Sequence, residues 1–139
     1  MGRYEYIEHT ADKGVEVWAE TLTELFEESA RALIAFMVPL ETYKPIETRE
    51  IQLSSFDLQA LFVNWLSELL FIFDTESFLP VDFKINEFGD TSLKAIVVGT
   101  FIDRTDVAQS GSQVKAITYH RLVIEELLEG WHARYFVDV

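Results

Sequence analysis

The sequence predicts an α+β fold: two helices packed on one face of a mostly antiparallel or mixed sheet. Three observations carry that reading. Two segments place apolar residues at helical spacing behind recognisable start signals. Most of the remaining chain alternates apolar and polar residues with the period of a strand. Tight Gly-containing turns, Gly89-Asp90 and Glu129-Gly130, separate neighbouring alternating segments as they do in hairpins.

Tyr4 to Glu8 forms the first short strand, and His9 to Gly14 a polar turn after it. Val15, Val17 and Ala19 then alternate with Glu16, Trp18 and Glu20, the pattern of a half-buried strand. Thr21-Leu22-Thr23-Glu24 reads as a capping box, in which hydroxyl and carboxylate satisfy free amides at a helix start. Leu22, Leu25, Phe26, Ala30, Leu33, Ile34 and Met37 follow on one helical face, and Pro39 helps to stop it. Thr48 to Leu53 alternates again, with Ile51 and Leu53 on one side. A second cap within Ser54 to Asp57 opens a helix carrying Leu58, Leu61, Phe62, Trp65, Leu66, Leu69 and Phe73, a face wide enough to lie flat on a sheet. Strands are expected over Val81 to Ile85, Leu93 to Phe101, Val114 to Ile117, Arg121 to Leu127 and Trp131 to Val137. Trp65 and Trp131 read as core. Asp103 to Gln113 is the one long polar loop, a candidate partner-binding segment or simply a connection.

The 139 residues fit one domain, 1–139, with 49% hydrophobic and 14% aromatic residues to build a core. Eleven basic residues against 24 acidic ones give a formal charge of −13. That balance opposes a direct grip on nucleic acid, which needs a basic surface. It suits contact with a basic partner, or the collection of cations. The absence of cysteine excludes disulfides, thiolate nucleophiles and zinc–thiolate sites, and fits a cytoplasmic protein. No apolar signal region precedes the first strand. The most apolar stretch, Phe56 to Phe73, is broken by Asp57, Gln59, Asn64, Ser67 and Glu68, so it reads as a core helix and not a membrane span. Phosphate-loop, His-Glu-x-x-His, EF-hand and nucleophile-elbow patterns are all missing.

The best candidate site joins the two ends of the chain. The turn His9-Thr10-Ala11-Asp12 sets an imidazole three residues from a carboxylate, although Asp12 is equally an ordinary turn residue bonding its own backbone. The final strand stays apolar up to Asp138-Val139, where a polar tail would be usual. If that strand runs beside Tyr4–Glu8 in the same direction, Asp12, Asp138 and the α-carboxylate of Val139 converge, with His9 close by. Three hard oxygen donors so gathered imply a bound Ca²⁺, or Mg²⁺ or Mn²⁺. Lys115 and His120 in the Val114–His120 segment are further candidates, with an ion pair and a structural histidine as the plainer readings.

Four motifs then carry a resemblance: His9-Thr10-Ala11-Asp12, Asn64-Trp65-Leu66-Ser67-Glu68-Leu69-Leu70, Val114-Lys115-Ala116-Ile117-Thr118-Tyr119-His120 and Asp138-Val139. In this order, over essentially the whole chain, they resemble the archease family. The resemblance implies an elaborated SHS2 strand-helix-strand-strand fold. It implies a non-enzymatic cofactor of the RtcB-type RNA-splicing ligase in tRNA splicing, one that promotes guanylylation of the ligase's active-site histidine and multiple turnover and broadens nucleotide use. It also implies a divalent metal, usually Ca²⁺, on residues matching Asp12, Asp138 and Val139, with His9 ranked below them and Lys115 and His120 near the site or the partner. The chain departs from the family in the loop starting at Asp103, which holds Arg104 and no histidine where a more basic segment is usual. A metal-dependent phosphoesterase using Asp12 and His9, or a metal-stabilised interaction or chaperone module, are the alternatives.

Overall fold

The computed structural model describes residues 2–8, 11–39, 43–103 and 113–139. In chain order these form β1 (Arg3–Ile7), β2 (Lys13–Ala19), α1 (Leu22–Met37), β3 (Glu47–Ser54), α2 (Leu58–Glu76), β4 (Phe78–Phe88), β5 (Ser92–Phe101), β6 (Ala116–Leu127) and β7 (Gly130–Asp138). The α+β reading holds, but the strands divide into two sheets. One has the order β1-β2-β7-β6 and the other β3-β5-β4, and every pairing is antiparallel. Both helices pack against strands of both sheets.

The helix starts follow from their caps. The Thr21 hydroxyl accepts from the Glu24 amide at 3.1 Å, and the Asp57 carboxylate accepts from the Ala60 amide at 2.7 Å. Helix α1 ends at Met37, two residues before Pro39. Helix α2 ends in Ser77, which takes the left-handed conformation (φ 56°) and returns its amide to the Phe73 carbonyl. Beyond the predicted face, α2 also buries Ala60, Val63, Leu70 and Ile72, since it is covered on more than one side. No helix among the described residues is long and apolar enough to cross a membrane.

Polar contacts fix how the layers meet. On the inner face of the four-stranded sheet, Tyr6, Val15 and Tyr135 lie in one row. The two phenols donate to the Ala32 and Ser29 carbonyls of α1, each at 2.9 Å. Burial pushes both hydroxyls well above their ordinary pKa, so they remain donors. The Trp65 indole donates to the Phe26 carbonyl at 2.9 Å and ties α2 to α1. Around it, Phe26 meets Phe62 and Phe88 edge to face. Trp65 is fully buried as expected, while Trp131 is only partly so and packs at the margin of the core.

Three expectations need correction. Lys13 and Gly14 belong to β2 and not to the turn, because each already pairs with β7. The last strand runs in the same direction as β1 but does not lie beside it; β2 stands between them. Finally, the segment from Ala116 to Leu127 is one strand, where two were expected. Its register jumps from Thr118↔Phe136 to Val123↔Arg134, so residues 119–122 face the single Tyr135. Arg121 sits there at φ 58°, a left-handed conformation uncommon for a residue with a Cβ. Simple alternation also fails ahead of it, where the strand begins at Ala116: Val114 and Ile117 are buried, whereas Lys115 and Ala116 are exposed.

The bulge covers the outer face of β7. Phe136 points away from the helices yet is only 3% exposed. The Arg121 guanidinium lies 5.4 Å from its ring centre and the His120 ring 6.2 Å. Gly14 leaves the space beneath. A Cβ there would come within 2.6 Å of the Phe136 ring. Gly14→Ala should therefore destabilise the fold by about 1–3 kcal/mol, through overpacking of that ring. Equilibrium urea unfolding measures it, and an unchanged midpoint would refute the packing.

Glu27 offers a pH test. Its carboxylate accepts from the Ile85 amide at 2.8 Å, where β4 is irregular. Burial raises its pKa above the ordinary 4.5, against the opposing pull of that amide and of Arg31. An acid raised in the folded state favours folding below its unfolded value, and that contribution is lost as pH rises through the folded one. Glu27→Gln keeps an acceptor and removes the charge. Its stability relative to wild type should therefore climb as pH rises above the ordinary value of 4.5. A pH-independent difference would show that Glu27 is not the group responsible.

Candidate functional site

The candidate corner is built by the register of three neighbouring strands. The β2–β7 ladder closes with Lys13↔Val137, so Asp12 and Asp138 are the next residue along on either side. On the far side of β7, Asp138 pairs with Ala116. Its carbonyl accepts the Lys115 amide at 2.7 Å. Asp12, Lys115, Asp138 and Val139 therefore stand at one end of the four-stranded sheet; the sequence reading expects Asp12, Asp138 and Val139 to meet through β1, whereas β2 does the joining.

The bulge in β6 brings one more group. His120 turns back over Phe136, its amide donating to the Thr118 hydroxyl at 3.2 Å. Its Nε2 then lies 3.8 Å from Asp12 Oδ2, with both side chains more than half exposed. At that separation the two make an ion pair when the imidazole is protonated, and not a short hydrogen bond. Val139 is half exposed. His9 lies outside the described residues, as do residues 104–112 of the long loop with Arg104.

The donors suit a hard divalent cation in kind: two carboxylates and main-chain oxygens, with one imidazole at the margin. They do not form a closed cage. Among the described residues, no three His, Cys, Asp or Glu side chains stand close enough together to hold a metal ion. Asp12 and Asp138 supply two such groups, and among the described residues Val139 and main-chain carbonyls are further oxygen donors at this end.

Sequence reasoning passed over His132. On the outer face of β7 it lies between Glu125, 2.7 Å from its Nδ1, and Glu16, 3.3 Å from its Nε2. Its side chain is 12% exposed and packs on Trp18, over which the Arg3 guanidinium lies at 3.9 Å. The signal was available in the alternation of Trp131–Val137, which places His132, Arg134 and Phe136 together on the face opposite Ala133 and Tyr135. Both ring nitrogens are engaged, so His132 clasps β2, β7 and β6 together and is not poised for chemistry.

Residues 4–139 match the family model described as the archease protein family (MTH1598/TM1083). A protein archease of Thermococcus gammatolerans is 38% identical, with the whole of both chains covered. One of Methanosarcina mazei is 34% identical over 99% of this chain and 96% of its own. Among solved structures, protein 1598 of Methanobacterium thermoautotrophicum superposes with a TM-score of 0.79 at 30% identity, covering 98% of each chain. An archease of Thermotoga maritima, described as a possible chaperone, shares the fold with a TM-score of 0.64 at 20% identity over 96% of this chain and 94% of its own. Matched from the first strand to the last residue of the acidic corner, the chain belongs to the archease family.

Proposed function

We propose that this chain is a protein cofactor of an RtcB-type tRNA-splicing RNA ligase, presenting a divalent cation at the Asp12–Asp138 corner. The observation that carries the reading is family membership over residues 4–139 together with the convergence of Asp12 and Asp138 on neighbouring strands. The net charge of −13 supports it, because an acidic protein reaches an RNA-joining enzyme through that enzyme's basic surface and not through the RNA.

In this reading Asp12, Asp138 and the Val139 carboxylate hold the cation, Ca²⁺ or alternatively Mg²⁺ or Mn²⁺. Such an ion supplies positive charge beside a triphosphate, where guanylylation of the ligase develops negative charge. Exposure of the corner leaves coordination positions for the partner's groups. Lys115 and His120 flank it as cationic or hydrogen-bonding contacts to phosphate or to the ligase. The protein performs no reaction of its own. A chaperone role, in the words used of the Thermotoga maritima relative, is the second reading.

A ligation assay with RNA substrate in excess over ligase tests the proposal. Adding the protein should raise guanylylation and the number of turnovers. Asp12→Asn and Asp138→Asn should each reduce that effect by roughly tenfold or more, the range seen when electrostatic groups of a reacting site are lost. No change in guanylylation or turnover on adding wild-type protein would end the cofactor reading. Suppression of heat-induced aggregation of unrelated proteins would then favour the chaperone.

The cation is tested apart from the ligase. A ligand bound only by the folded state adds about 2.7 kcal/mol of stability at a hundredfold excess over its Kd. Ca²⁺ should therefore raise the Tm of wild type. Asp12→Asn, Asp138→Asn, or a short extension after Val139 should blunt the rise. An equal rise in all three variants would remove these residues from the site.

A further inference from the structure

The opposite end of the four-stranded sheet carries a feature of a different kind. There the β6–β7 hairpin turns over Leu128 and Glu129. Turn positions of this sort normally hold Gly, Asn or Asp, yet Leu128 is 102% exposed and Leu127 43%. The tip is held rigidly. Gly130 sits at φ 135°, and a Cβ there would lie 2.4 Å from the Ala19 carbonyl, so the hairpin is packed directly on the end of β2. Beside it lies an open hollow of about 290 Å³, lined chiefly by Trp18, Trp131, Leu127, Arg3 and Glu129. Glu129 lines it, Glu126 is exposed opposite Trp131 in the β6–β7 ladder, and neither takes part in an ion pair among the described residues.

A rigid leucine knob beside an aromatic hollow, framed by glutamates, is the anatomy of an interface centre with a charged rim. Charge decides the occupant. A second copy would set glutamates against glutamates on two chains of charge −13 each, which disfavours self-association. A basic protein surface is complementary, and an enzyme that handles RNA must carry one. We infer that the hairpin end of β6 and β7 is a docking site for a basic surface of a partner protein, with Leu128 entering an apolar pocket and Glu126 and Glu129 meeting lysine or arginine. The inference rests on the ligase reading above, which supplies the partner. With about 3.3 Å of rise per residue along β7, a partner gripping this tip holds the Asp12–Asp138 corner roughly 25 Å away, at a reach fixed by the sheet.

Isothermal titration of purified RtcB-type ligase, with the full chain and its variants, tests the assignment. Leu128→Asp should weaken binding by roughly tenfold or more, as loss of a central anchor does, while Leu128→Met stays near wild type. The double variant Glu126→Lys/Glu129→Lys should weaken binding about tenfold at low salt and much less at high salt. All these side chains are exposed, so every variant should keep the wild-type Tm and its response to Ca²⁺. Wild-type affinity in Leu128→Asp overturns the docking site even where the wild-type protein binds and stimulates the ligase. So does wild-type self-association that Leu128→Asp abolishes, because the occupant is then a second copy. Wild-type protein that neither binds nor stimulates the ligase sinks the ligase reading itself, and this assignment with it.

Discussion

Seven residue pairs, from Lys13↔Val137 to Ala19↔Trp131, lock β2 against β7 in the middle of the four-stranded sheet. On the inner face this ladder presents Val15, Val17, Ala133 and Tyr135, all within 2% of complete burial, to the helices. On the outer face it presents Gly14, Glu16, Trp18, His132 and Phe136. Because side chains alternate with a period of two, a slip of one residue would exchange these sets. It would place Tyr135 in water, remove its hydrogen bond to α1 and bring His132 with its two carboxylates into the core. That penalty makes the register unambiguous. Everything at the ends of the ladder inherits its certainty: Asp12 beside Asp138 at one end, and Gly130 against Ala19 at the other.

The third strand of the corner works differently. Strand β6 follows β7 regularly at both ends but gives up four residues opposite Tyr135. Ladder bonds are lost there, and Arg121 takes a backbone conformation that costs of the order of 1 kcal/mol. What the bulge achieves is side-chain placement. It lays His120 and Arg121 across Phe136, which would otherwise be a bare aromatic ring on a solvent face, and carries His120 across β7 to Asp12. Gly14 completes the arrangement from below by having no side chain at all. The irregular strand thus brings a histidine to a carboxylate two strands away, a juxtaposition that regular pleating of β6 would not give.

How legible this was in the sequence follows from what periodicity encodes. Alternation assigns faces, so it correctly marks Val15, Val17 and Ala19 as buried, and the Thr21 capping box and the cap expected within Ser54 to Asp57 locate both helix starts because capping is local chemistry. Neighbours are another matter. Nothing in Trp131–Val137 says whether it lies beside β1 or β2, since both partners offer one apolar face. Sequence alone points to the corner through the wrong strand pair, and Asp12 and Asp138 still meet because β1 and β7 share a direction. The division into two sheets was hidden for the same reason. The bulge was hidden because its key residue is Arg121 and not the glycine or asparagine that usually marks a left-handed position. The clasp around His132 depends on Glu16 and Glu125, each from a different strand, and could not be assembled before strand order was known.

The half-open character of the corner bears on what a cation there could do. A calcium buffer surrounds its ion with six to eight oxygens and releases it reluctantly. Asp12 and Asp138 do not do that: each is solvent-exposed, and no group of three acidic or histidine side chains among the described residues could hold a metal ion, His120 reaching Asp12 only at ion-pair distance. A cation at this end would retain several water molecules, each exchangeable for a phosphate or carboxylate oxygen of a partner. The rest of the chain favours such an ion over long range, because a net charge of −13 lowers the cost of bringing a cation close even where few ligands touch it. This combination, weak local coordination within a strongly acidic field, suits sharing an ion with a second protein better than storing it. Under the proposed function the division of labour is then physical. The ladder of β2 and β7 fixes where the carboxylates stand, the net charge raises the local concentration of cation, and the missing ligands are the partner's to supply.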